Sequence, residues 1–431
     1  MIVYFYCRRK RSESQLRNLI QNGTLMSMKK LVTFQVRKVW HTVKSFALEA
    51  LPAAIQYGFP AKKLHVYAIT GTDGKTTSST MLYEVLKQAG FKVALISTVA
   101  AYIGDEEIDT GFHTTSPEPR QIQKILHRCV EAGIEHVVLE VTSHGIFQYR
   151  TWGIPVALAG ITNISHEHLD YFVDWETYAS VKSQLLENAE TAILNKDDQS
   201  YDFLQARLAK KNKTPLTYSQ DWDGVPAEVR TAIENRFPEP YNQWNAQLVW
   251  KMAQELGVSQ KKFAQAIERF SGIKGRMDFI DIPRKFRVVV DFAHTPNALE
   301  KALKALRVQT KKRLIAVYGS AGLRDRTKRP LMGKAGSDTA DIVVFTAEDP
   351  RTEDVNVIIR QMKEGIASEN HRKVISMTDR KEAIFWALNQ AKTGDIVGIF
   401  GKGHEQSMCF GTTEYPWSDH AAVLEWAEKQ K

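Results

Sequence analysis

The sequence predicts an α/β protein in which helices cover a mostly parallel sheet. Three observations lead to this prediction. Short β-branched runs alternate with helical patterns from Leu64 onward, a glycine-rich loop follows the first run, and a second series of strand–helix units begins near residue 274. A chain of 431 residues is also long enough for two or three domains, each with its own core. We therefore expect two α/β domains after a short N-terminal segment.

The predicted elements follow in order along the chain. In the first series, strands are predicted at 64–70, 93–97, 136–141 and 156–162, and helices at 76–89, 121–132, 176–188, 243–256 and 261–270. In the second series, strands are predicted at 287–291, 313–318, 341–346 and 395–400, and helices at 298–306 and 380–391. The segment 198–240 has an irregular pattern. A glycine turn at 271–275 separates the two series, so the predicted domains are residues 1–63, 64–273 and 274–431.

The net charge of +9 is concentrated at the N-terminus. Residues 1–63 contain 12 of the 58 Lys and Arg residues and two of the 49 acidic ones, which leaves 46 basic and 47 acidic residues elsewhere. A near-neutral body offers no basic face, so no nucleic-acid partner is expected. The three cysteines are far apart, and no apolar run approaches the ~20 residues of a membrane span. These features indicate a reducing, cytoplasmic location.

Residues 28–60 combine apolar residues at roughly helical spacing with lysines and arginines between them. Two interpretations are open. The helix packs its apolar stripe on the neighbouring domain, or it makes a peripheral contact with an anionic membrane surface. Met28 is also a possible start of translation, which would make residues 1–27 an extension.

The clearest local motif is Gly71-Thr72-Asp73-Gly74-Lys75-Thr76-Thr77, between a predicted strand and a predicted helix. Glycines let backbone N–H groups surround phosphate oxygens, and the helix N-terminus adds positive potential. Lys75 is expected to reach the β- and γ-phosphates, and Thr76 to offer its hydroxyl to Mg²⁺. The full phosphate-loop pattern lacks its first glycine, because Ile69 occupies that position. Such a loop alone does not distinguish a kinase, a motor, a GTPase and a ligase.

Two further predicted strands end in polar residues. Glu140 begins the motif Glu140-Val141-Thr142-Ser143-His144, and His168 lies in the segment 162–170. In an open parallel sheet the carboxyl ends of strands line the ligand crevice. Glu140 and His168 are therefore expected near metal ions bound to the triphosphate, whereas His166 alone is more typical of a solvated loop.

Taken together, these motifs resemble those of the Mur ligase family, most closely its tripeptide synthetase branch. The resemblance covers roughly residues 64–431 and includes GTDGKTT (71–77), TSPEP (115–119), EVTSH (140–144), TNISHEHLD (162–170), YASVKSQL (178–185), YNQWNA (241–246), GRMD (275–278), DFAHTPNAL (291–299), GSAGLRDRTKRPLMG (319–333), EDPRTED (348–354) and GKGHEQ (401–406). It implies a central P-loop ATPase domain and a C-terminal Rossmann-like domain. Here they would follow a short, basic, helical N-terminal segment.

The resemblance also implies a role for individual residues. ATP would be bound by the phosphate loop and by Asn245, Arg276, Asp291 and His294. Two Mg²⁺ ions would be held by Thr76, Glu140, His168 and a carbamylated Lys182. The carboxylate-bearing acceptor would contact Thr115, Ser116, Ser143 and Arg150. The incoming amino acid would contact Arg324, Asp349, Arg351, Gly401 and Glu405.

The implied activity is an Mg·ATP-dependent amide ligation in peptidoglycan precursor synthesis, carried out by a monomer. It would add a diamino acid to UDP-N-acetylmuramoyl-L-alanyl-D-glutamate or a related acceptor. Arg351 stands where diaminopimelate-adding relatives have the arginine of their DNPR motif, which favours meso-diaminopimelate over lysine. Asp349 stands where those relatives have asparagine, and it resembles the acidic residue of lysine-adding enzymes.

Two features depart from the family pattern. Asp73 replaces the asparagine of the family's phosphate loop, and only about 70 residues precede that loop, which leaves recognition of the UDP group open. Two alternatives also remain. A folylpolyglutamate synthase-like ligase is disfavoured by the HTPNAL, DPR and GKGHE motifs. A non-catalytic, membrane-associated ATP-binding relative is disfavoured by the intact Lys75, Glu140, His168 and Lys182.

Overall fold

A computed structural model describes residues 24–97, 101–104, 106–108, 117–165 and 171–430, with side chains from residue 31 onward. Within these ranges the chain forms an N-terminal helical segment and two α/β units, each built on its own sheet. The predicted α/β class and the mostly parallel character of the sheets are confirmed.

The N-terminal segment consists of helix α1 (Thr24–His41), a π-helical stretch (Thr42–Ala50), helix α2 (Leu51–Gln56) and a 3₁₀ turn (Pro60–Lys63). It packs on the first α/β unit through Phe34, whose ring centroid lies 5.0 Å from that of Phe147, and through Phe46, 5.0 Å from Trp152. Among the helices described, none has the length and apolar character needed to cross a bilayer.

The first α/β unit contains an eight-stranded sheet in the order β4-β3-β2-β5-β1-β6-β7-β8. Its strands are β1 (His65–Thr70), β2 (Val93–Ile96), β3 (Ala101–Ile103), β4 (Glu106–Ile108), β5 (His136–Glu140), β6 (Leu158–Ile161), β7 (Thr191–Asn195) and β8 (Leu216–Tyr218). Its helices are α3 (Lys75–Ala89), α4 (Pro119–Glu131), α5 (Ser143–Phe147), α6 (Trp175–Asn188), α7 (Tyr201–Ala209), α8 (Ala227–Arg236), α9 (Pro240–Glu255) and α10 (Gln260–Arg269). In the described part of this sheet the β2–β3 and β3–β4 pairs are antiparallel, and the other pairs are parallel.

The register of the central strands determines where the site forms. Strand β1 runs parallel to β5 on one side and to β6 on the other, with Ile69 opposite Glu140 and Thr70 opposite Ile161. The carboxyl ends of the three strands therefore meet at one edge of the sheet. The loop after β1 leads directly into α3, so the phosphate loop, Glu140 and Thr162 become neighbours.

The second unit contains a six-stranded sheet in the order β13-β12-β11-β14-β10-β9 and a separate hairpin. Its strands are β9 (Asp278–Ile280), β10 (Arg287–Asp291), β11 (Leu314–Tyr318), β12 (Ile342–Phe345), β13 (Val374–Ser376), β14 (Ile396–Phe400) and the hairpin β15 (Ser407–Phe410) and β16 (Thr413–Pro416). Its helices are α11 (Pro296–Gln309), α12 (Lys328–Thr339), α13 (Val355–Lys363), α14 (Arg380–Gln390) and α15 (Asp419–Glu428), with a 3₁₀ turn at Ser368–Lys373. A fully buried ion pair between Arg380 and Asp419, 2.8 Å apart, joins α14 to α15.

Both sheets have an apolar core on each face. The strand and helix ranges predicted from sequence agree with the observed ones to within three residues. The prediction failed for the segment 198–240, which contains α7, β8 and α8, and it did not anticipate the antiparallel strands at the sheet edges. Helix α10 ends at Arg269 and β9 begins at Asp278, and the boundary predicted at 273/274 lies between them.

Candidate active site

A cavity of about 950 Å³ lies between the two α/β units and is lined by residues of both. The first unit contributes the loops after β1, β5 and β6. The second unit contributes the loops after β10, β11, β12 and β14. Ligands of open parallel sheets bind at the carboxyl ends of strands, and here two such ends face each other across one space.

The phosphate loop lies against β6 and α9 with no room for larger side chains. A Cβ atom on Gly71 would be 1.8 Å from Thr162 Oγ1, and one on Gly74 would be 2.3 Å from Asn245 Oδ1. Gly74 also has φ +82°, in the left-handed region. Lys75 donates from Nζ to the carbonyl of Thr72 at 2.7 Å, across the loop. The loop therefore has the backbone shape and the cation that a phosphate site requires.

Two of the predicted metal ligands are adjacent and buried. Thr76 Oγ1 donates a hydrogen bond to Glu140 Oε1 at 3.0 Å. A hydroxyl and a carboxylate are oxygen donors of the kind that Mg²⁺ prefers, so the pair fits this ion. No group of three or more His, Cys, Asp or Glu residues able to hold a metal occurs in the described ranges. His168 lies outside them.

Lys182, on α6, lies beside the phosphate loop. Its side chain is buried, and Nζ donates to the carbonyl of Gly71 at 2.6 Å and lies 4.8 Å from the centre of the Tyr178 ring. The structure thus brings Lys182 to the residue at which the loop begins.

Asp73 is oriented toward the second unit. Its Oδ2 accepts a hydrogen bond from Asn297 Nδ2, at the start of α11, at 3.1 Å. Its backbone N–H donates to Asn163 Oδ1 at 3.1 Å, and its carbonyl accepts from Thr162 Oγ1 at 2.6 Å. The acidic side chain therefore has a donor from the other side of the cavity. Neither Asn297 nor Asn163 was predicted from the sequence as a site residue, although they lie in the motifs DFAHTPNAL (291–299) and TNISHEHLD (162–170).

Arg276, in the segment that joins the two units, also bridges them. Nη2 donates to Thr76 Oγ1 at 3.4 Å, and the guanidinium lies 4.4 Å from the centre of the Phe292 ring. Burial lowers the pKa of Arg276, an effect that the charge of Asp291 partly offsets. Burial likewise raises the pKa of Asp291, whose carboxylate accepts from the backbone N–H groups of Met277 and Ala293 at 2.7 and 2.8 Å.

The other two predicted nucleotide contacts also line the cavity. Asn245 is buried on α9 beneath Gly74, and its Nδ2 donates to Asn242 Oδ1 at 3.3 Å. The Nδ1 atom of His294 is 3.0 Å from the carbonyl oxygen of Phe292. Both residues line the cavity, as do Arg276 and Asp291.

The predicted amino-acid contacts all belong to the second unit and form its wall of the cavity. Arg351 donates from Nη1 to the carbonyl of Gly322 at 2.7 Å, and its backbone pairs with β15. The nearby acidic residue Glu353 pairs with Arg329, with 3.0 Å between Oε2 and Nη1. Arg324 is exposed at the cavity rim.

Lys402, a buried residue next to this wall, was not predicted from the sequence as a site residue. Its side chain is fully buried, and Nζ donates to Asp349 Oδ1 at 2.8 Å and pairs with Glu405. Burial opposes ionisation of Asp349, but the charge of Lys402 and its hydrogen bond outweigh this and lower the pKa of Asp349. Asp349 is therefore ionised and its charge is matched by Lys402. The GKG motif that contains Lys402 was the available signal.

Glu348 is a second residue missed in this wall. Its Oε2 has no hydrogen-bond partner among the described residues, and a Cβ atom on Gly401 would lie 2.3 Å from it, so glycine is required there. Burial raises the pKa of Glu348 to about 7, although Lys328 and Arg380 oppose the shift.

Two of the four predicted acceptor contacts, Ser143 and Arg150, lie in the described part of the chain. Ser143 is buried at the first position of α5, after the N-cap Thr142. Arg150 Nη2 is 3.0 Å from Glu118 Oε1, and both Ser143 and Arg150 line the cavity. Thr115 and Ser116 lie outside the described residues.

Comparison with known proteins gives two family matches. The Mur ligase middle domain matches residues 69–236, and the Mur ligase glutamate ligase domain matches residues 275–403. A UDP-N-acetylmuramoyl-L-alanyl-D-glutamate–2,6-diaminopimelate ligase of Clostridium botulinum is 36% identical over 83% of this chain and 76% of its own length. A UDP-N-acetylmuramyl-tripeptide synthetase of Roseiflexus is 35% identical over 87% of this chain and 80% of its own length.

Solved structures of two ligases have a similar fold. A UDP-N-acetylmuramoyl-L-alanyl-D-glutamate–2,6-diaminopimelate ligase superposes with a TM-score of 0.56 at 31% identity, over 85% of this chain and 79% of that one. A folylpolyglutamate synthase of Mycobacterium tuberculosis superposes with a TM-score of 0.67 at 15% identity, over 86% of this chain and 96% of that one. At this low identity the second match establishes a shared fold alone.

We expect Lys75→Ala and Glu140→Ala each to reduce ATP-dependent phosphate release by about 10²-fold or more, because each removes a group that would stabilise phosphate or metal charge. Lys87→Ala, an exposed lysine near the other end of α3, is the control and should leave the rate unchanged. Near-normal release in either site variant, with circular dichroism unchanged, would contradict the assignment.

Proposed function

This chain belongs to the Mur ligase family, and on that premise we propose that it joins meso-diaminopimelate to UDP-N-acetylmuramoyl-L-alanyl-D-glutamate or a related acceptor at the expense of ATP. The observation that supports this most directly is the division of the cavity. A phosphate loop with a Thr76–Glu140 oxygen pair forms the wall of the first unit, and the charged group around Arg351 forms the wall of the second, next to the buried Lys402.

The proposed reaction has two steps. The γ-phosphoryl group of ATP is transferred to the acceptor carboxylate, which gives ADP and an acyl phosphate. The amine of the incoming amino acid, after loss of a proton, then attacks the acyl carbon. Phosphate leaves and an amide C–N bond forms. Closure of two domains around the acyl phosphate protects it from water and brings the amine to it.

The ATP half of the reaction is assigned to the first wall. Gly71, Thr72, Gly74 and Thr77 would bind phosphate oxygens, and Lys75 would neutralise their charge. Thr76, Glu140, His168 and a carbamylated Lys182 would hold two Mg²⁺ ions. When bound, these ions would supply positive charge to the phosphoryl group being transferred. Asn245, Arg276, Asp291 and His294 would contact the rest of the nucleotide, and Asp73 would link the loop to Asn297.

The acceptor is assigned to two residues that precede α4 in the sequence and to two residues in and just after α5. Ser143 and Arg150 lie in the cavity on the same side as the Glu140 end of β5, where the acceptor carboxylate has to meet the γ-phosphate. Thr115 and Ser116 are proposed to bind the acceptor as well.

The choice of amino acid is assigned to Arg351. Diaminopimelate differs from lysine by a carboxylate beside its distal amine, and a guanidinium can donate two parallel hydrogen bonds to that group. The acidic Asp349 does not oppose this, because the buried ammonium of Lys402 lies 2.8 Å away and balances it. Arg324 at the rim is proposed to bind the other carboxylate, with Gly401 and Glu405 completing the pocket.

We also propose that the enzyme acts as a monomer in the cytoplasm. Each described element of the proposed site, from the phosphate loop to Arg351, is supplied by one chain. ATP is the phosphoryl donor, and the two described cysteines, Cys129 and Cys409, are unpaired and buried, which is typical of a reducing compartment.

For Lys182 we expect carbamylation in the active enzyme, because an unmodified ammonium would repel Mg²⁺. Protein equilibrated with ¹³C-bicarbonate should give a carbamate carbon signal in NMR, and Lys182→Ala should abolish both this signal and turnover. Short carboxylic acids should partly restore turnover to Lys182→Ala. A signal that persists in Lys182→Ala, or an active Lys182→Ala enzyme without added acid, would exclude this role.

For amino-acid selection we expect diaminopimelate to outcompete lysine when both are supplied with ATP and the acceptor. Arg351→Ala should lose at least tenfold of this preference, since it removes a charge-assisted contact. Asp349→Asn is the matched variant and should keep the preference, because the charge of Asp349 is already balanced. A parent enzyme that prefers lysine, or an Arg351→Ala enzyme with unchanged preference, would show that the pocket is assigned wrongly.

A further inference from the structure

We infer that the N-terminal helix α1 binds the surface of an anionic membrane through an apolar face that the folded chain leaves exposed. This outer face consists of Val32, Val36, Val39 and Trp40 of α1, continued by Val43 of the π-helical stretch that follows. It is independent of the ligase site, and nothing in the proposed reaction requires it.

The outer face is continuous. Val32, Val36, Val39 and Val43 are separated by four, three and four residues, which places them on one side of a helix, and Trp40 lies beside them. Val36, Val39 and Trp40 are 63%, 65% and 59% exposed. Isolated exposed apolar residues are common, but a row of five along three turns is a patch of the kind that marks an interaction site.

The opposite face of α1 packs against the first α/β unit through both apolar and polar contacts. Phe34 is buried against Phe147. Arg37 Nη1 donates to the carbonyl of Tyr171 at 3.1 Å, and His41 Nε2 is 3.0 Å from the Tyr171 hydroxyl. These contacts set the rotation of the helix about its axis.

This arrangement corrects the expectation that the apolar stripe as a whole packs on the neighbouring domain. Phe34 does so, but Val39, Trp40 and Val43 point away from the body and are more than half exposed. The docked face takes the polar contacts, so the more apolar face is the one turned outward.

The charge of this region identifies an anionic surface as the partner. Besides the docked Arg37, helix α1 contains Lys29, Lys30 and Lys38 and no acidic residue, and residues 1–63 as a whole have a net charge of +10. Basic residues around an apolar helix face are typical of interfacial helices, which insert the face among lipid headgroups and attract anionic lipid. A second copy of the chain would bring the same positive charge to the same surface, so repulsion disfavours self-association there.

The test uses the full-length protein and sedimentation with lipid vesicles. We expect binding to vesicles that contain phosphatidylglycerol, little binding to vesicles of phosphatidylcholine alone, and weaker binding as salt is raised. The double variant Val36→Asp/Val39→Asp should reduce the partition coefficient at least tenfold, because it places two charges in the inserted face. Its rate of ATP-dependent phosphate release without vesicles should match the parent.

The matched control is Val308→Asp, which charges an isolated valine on α11 that is 89% exposed, and it should bind vesicles as the parent does. Equal loss of binding in Val308→Asp, or no binding of the parent to anionic vesicles, would overturn the inference. So would sedimentation velocity that shows a dimer which Val36→Asp/Val39→Asp dissociates, since the face would then belong to a second copy.

Discussion

The close contact of the phosphate loop with strand β6 and helix α9 is the constraint on which the rest of the site depends. Gly71 lies against Thr162 and Gly74 against Asn245, at distances that exclude a Cβ atom. This contact holds the loop at the carboxyl edge of the sheet and directs the first turn of α3 toward the cavity. Thr76 then reaches Glu140, Lys182 reaches the carbonyl of Gly71, and Lys75 closes the loop. A shift of the loop would disturb the contacts to Glu140 and Lys182 together.

The phosphate-loop segment also contacts the second α/β unit. Arg276 and Asn297 contact Thr76 and Asp73 of the phosphate-loop segment, so the position of the second sheet is linked to the residues that are proposed to hold ATP. The amino-acid wall around Lys402 belongs to that second sheet. A ligase needs its acyl phosphate and its amine to meet without water, and contacts that couple the two walls meet this requirement. Asp73, an unexplained departure in the sequence, thereby acquires a structural role as an acceptor for Asn297.

Much of this could be predicted from the sequence because the relevant signals are local. Alternating strand and helix patterns gave the α/β class, and the glycine loop between β1 and α3 located the phosphate site. What failed depends on contacts between distant segments. Lys402 is more than 50 residues from Asp349, so their pairing has no periodic signal. Edge strands such as β9 are short and half-buried, and the outward direction of Val39 and Trp40 depends on which face of α1 binds Tyr171, which hydrophobic periodicity does not determine.

The central claim is that both walls of the cavity serve one reaction. Phosphate release and amide formation should be measured in parallel over a matrix of acceptors, with and without the UDP group, and of amino acids. We predict that phosphate release requires ATP, a muramoyl-dipeptide acceptor and diaminopimelate together, and that one amide forms for each phosphate released. Release that proceeds equally without the amino acid, or that occurs with a folate acceptor and glutamate in place of the muramoyl dipeptide, would contradict the account.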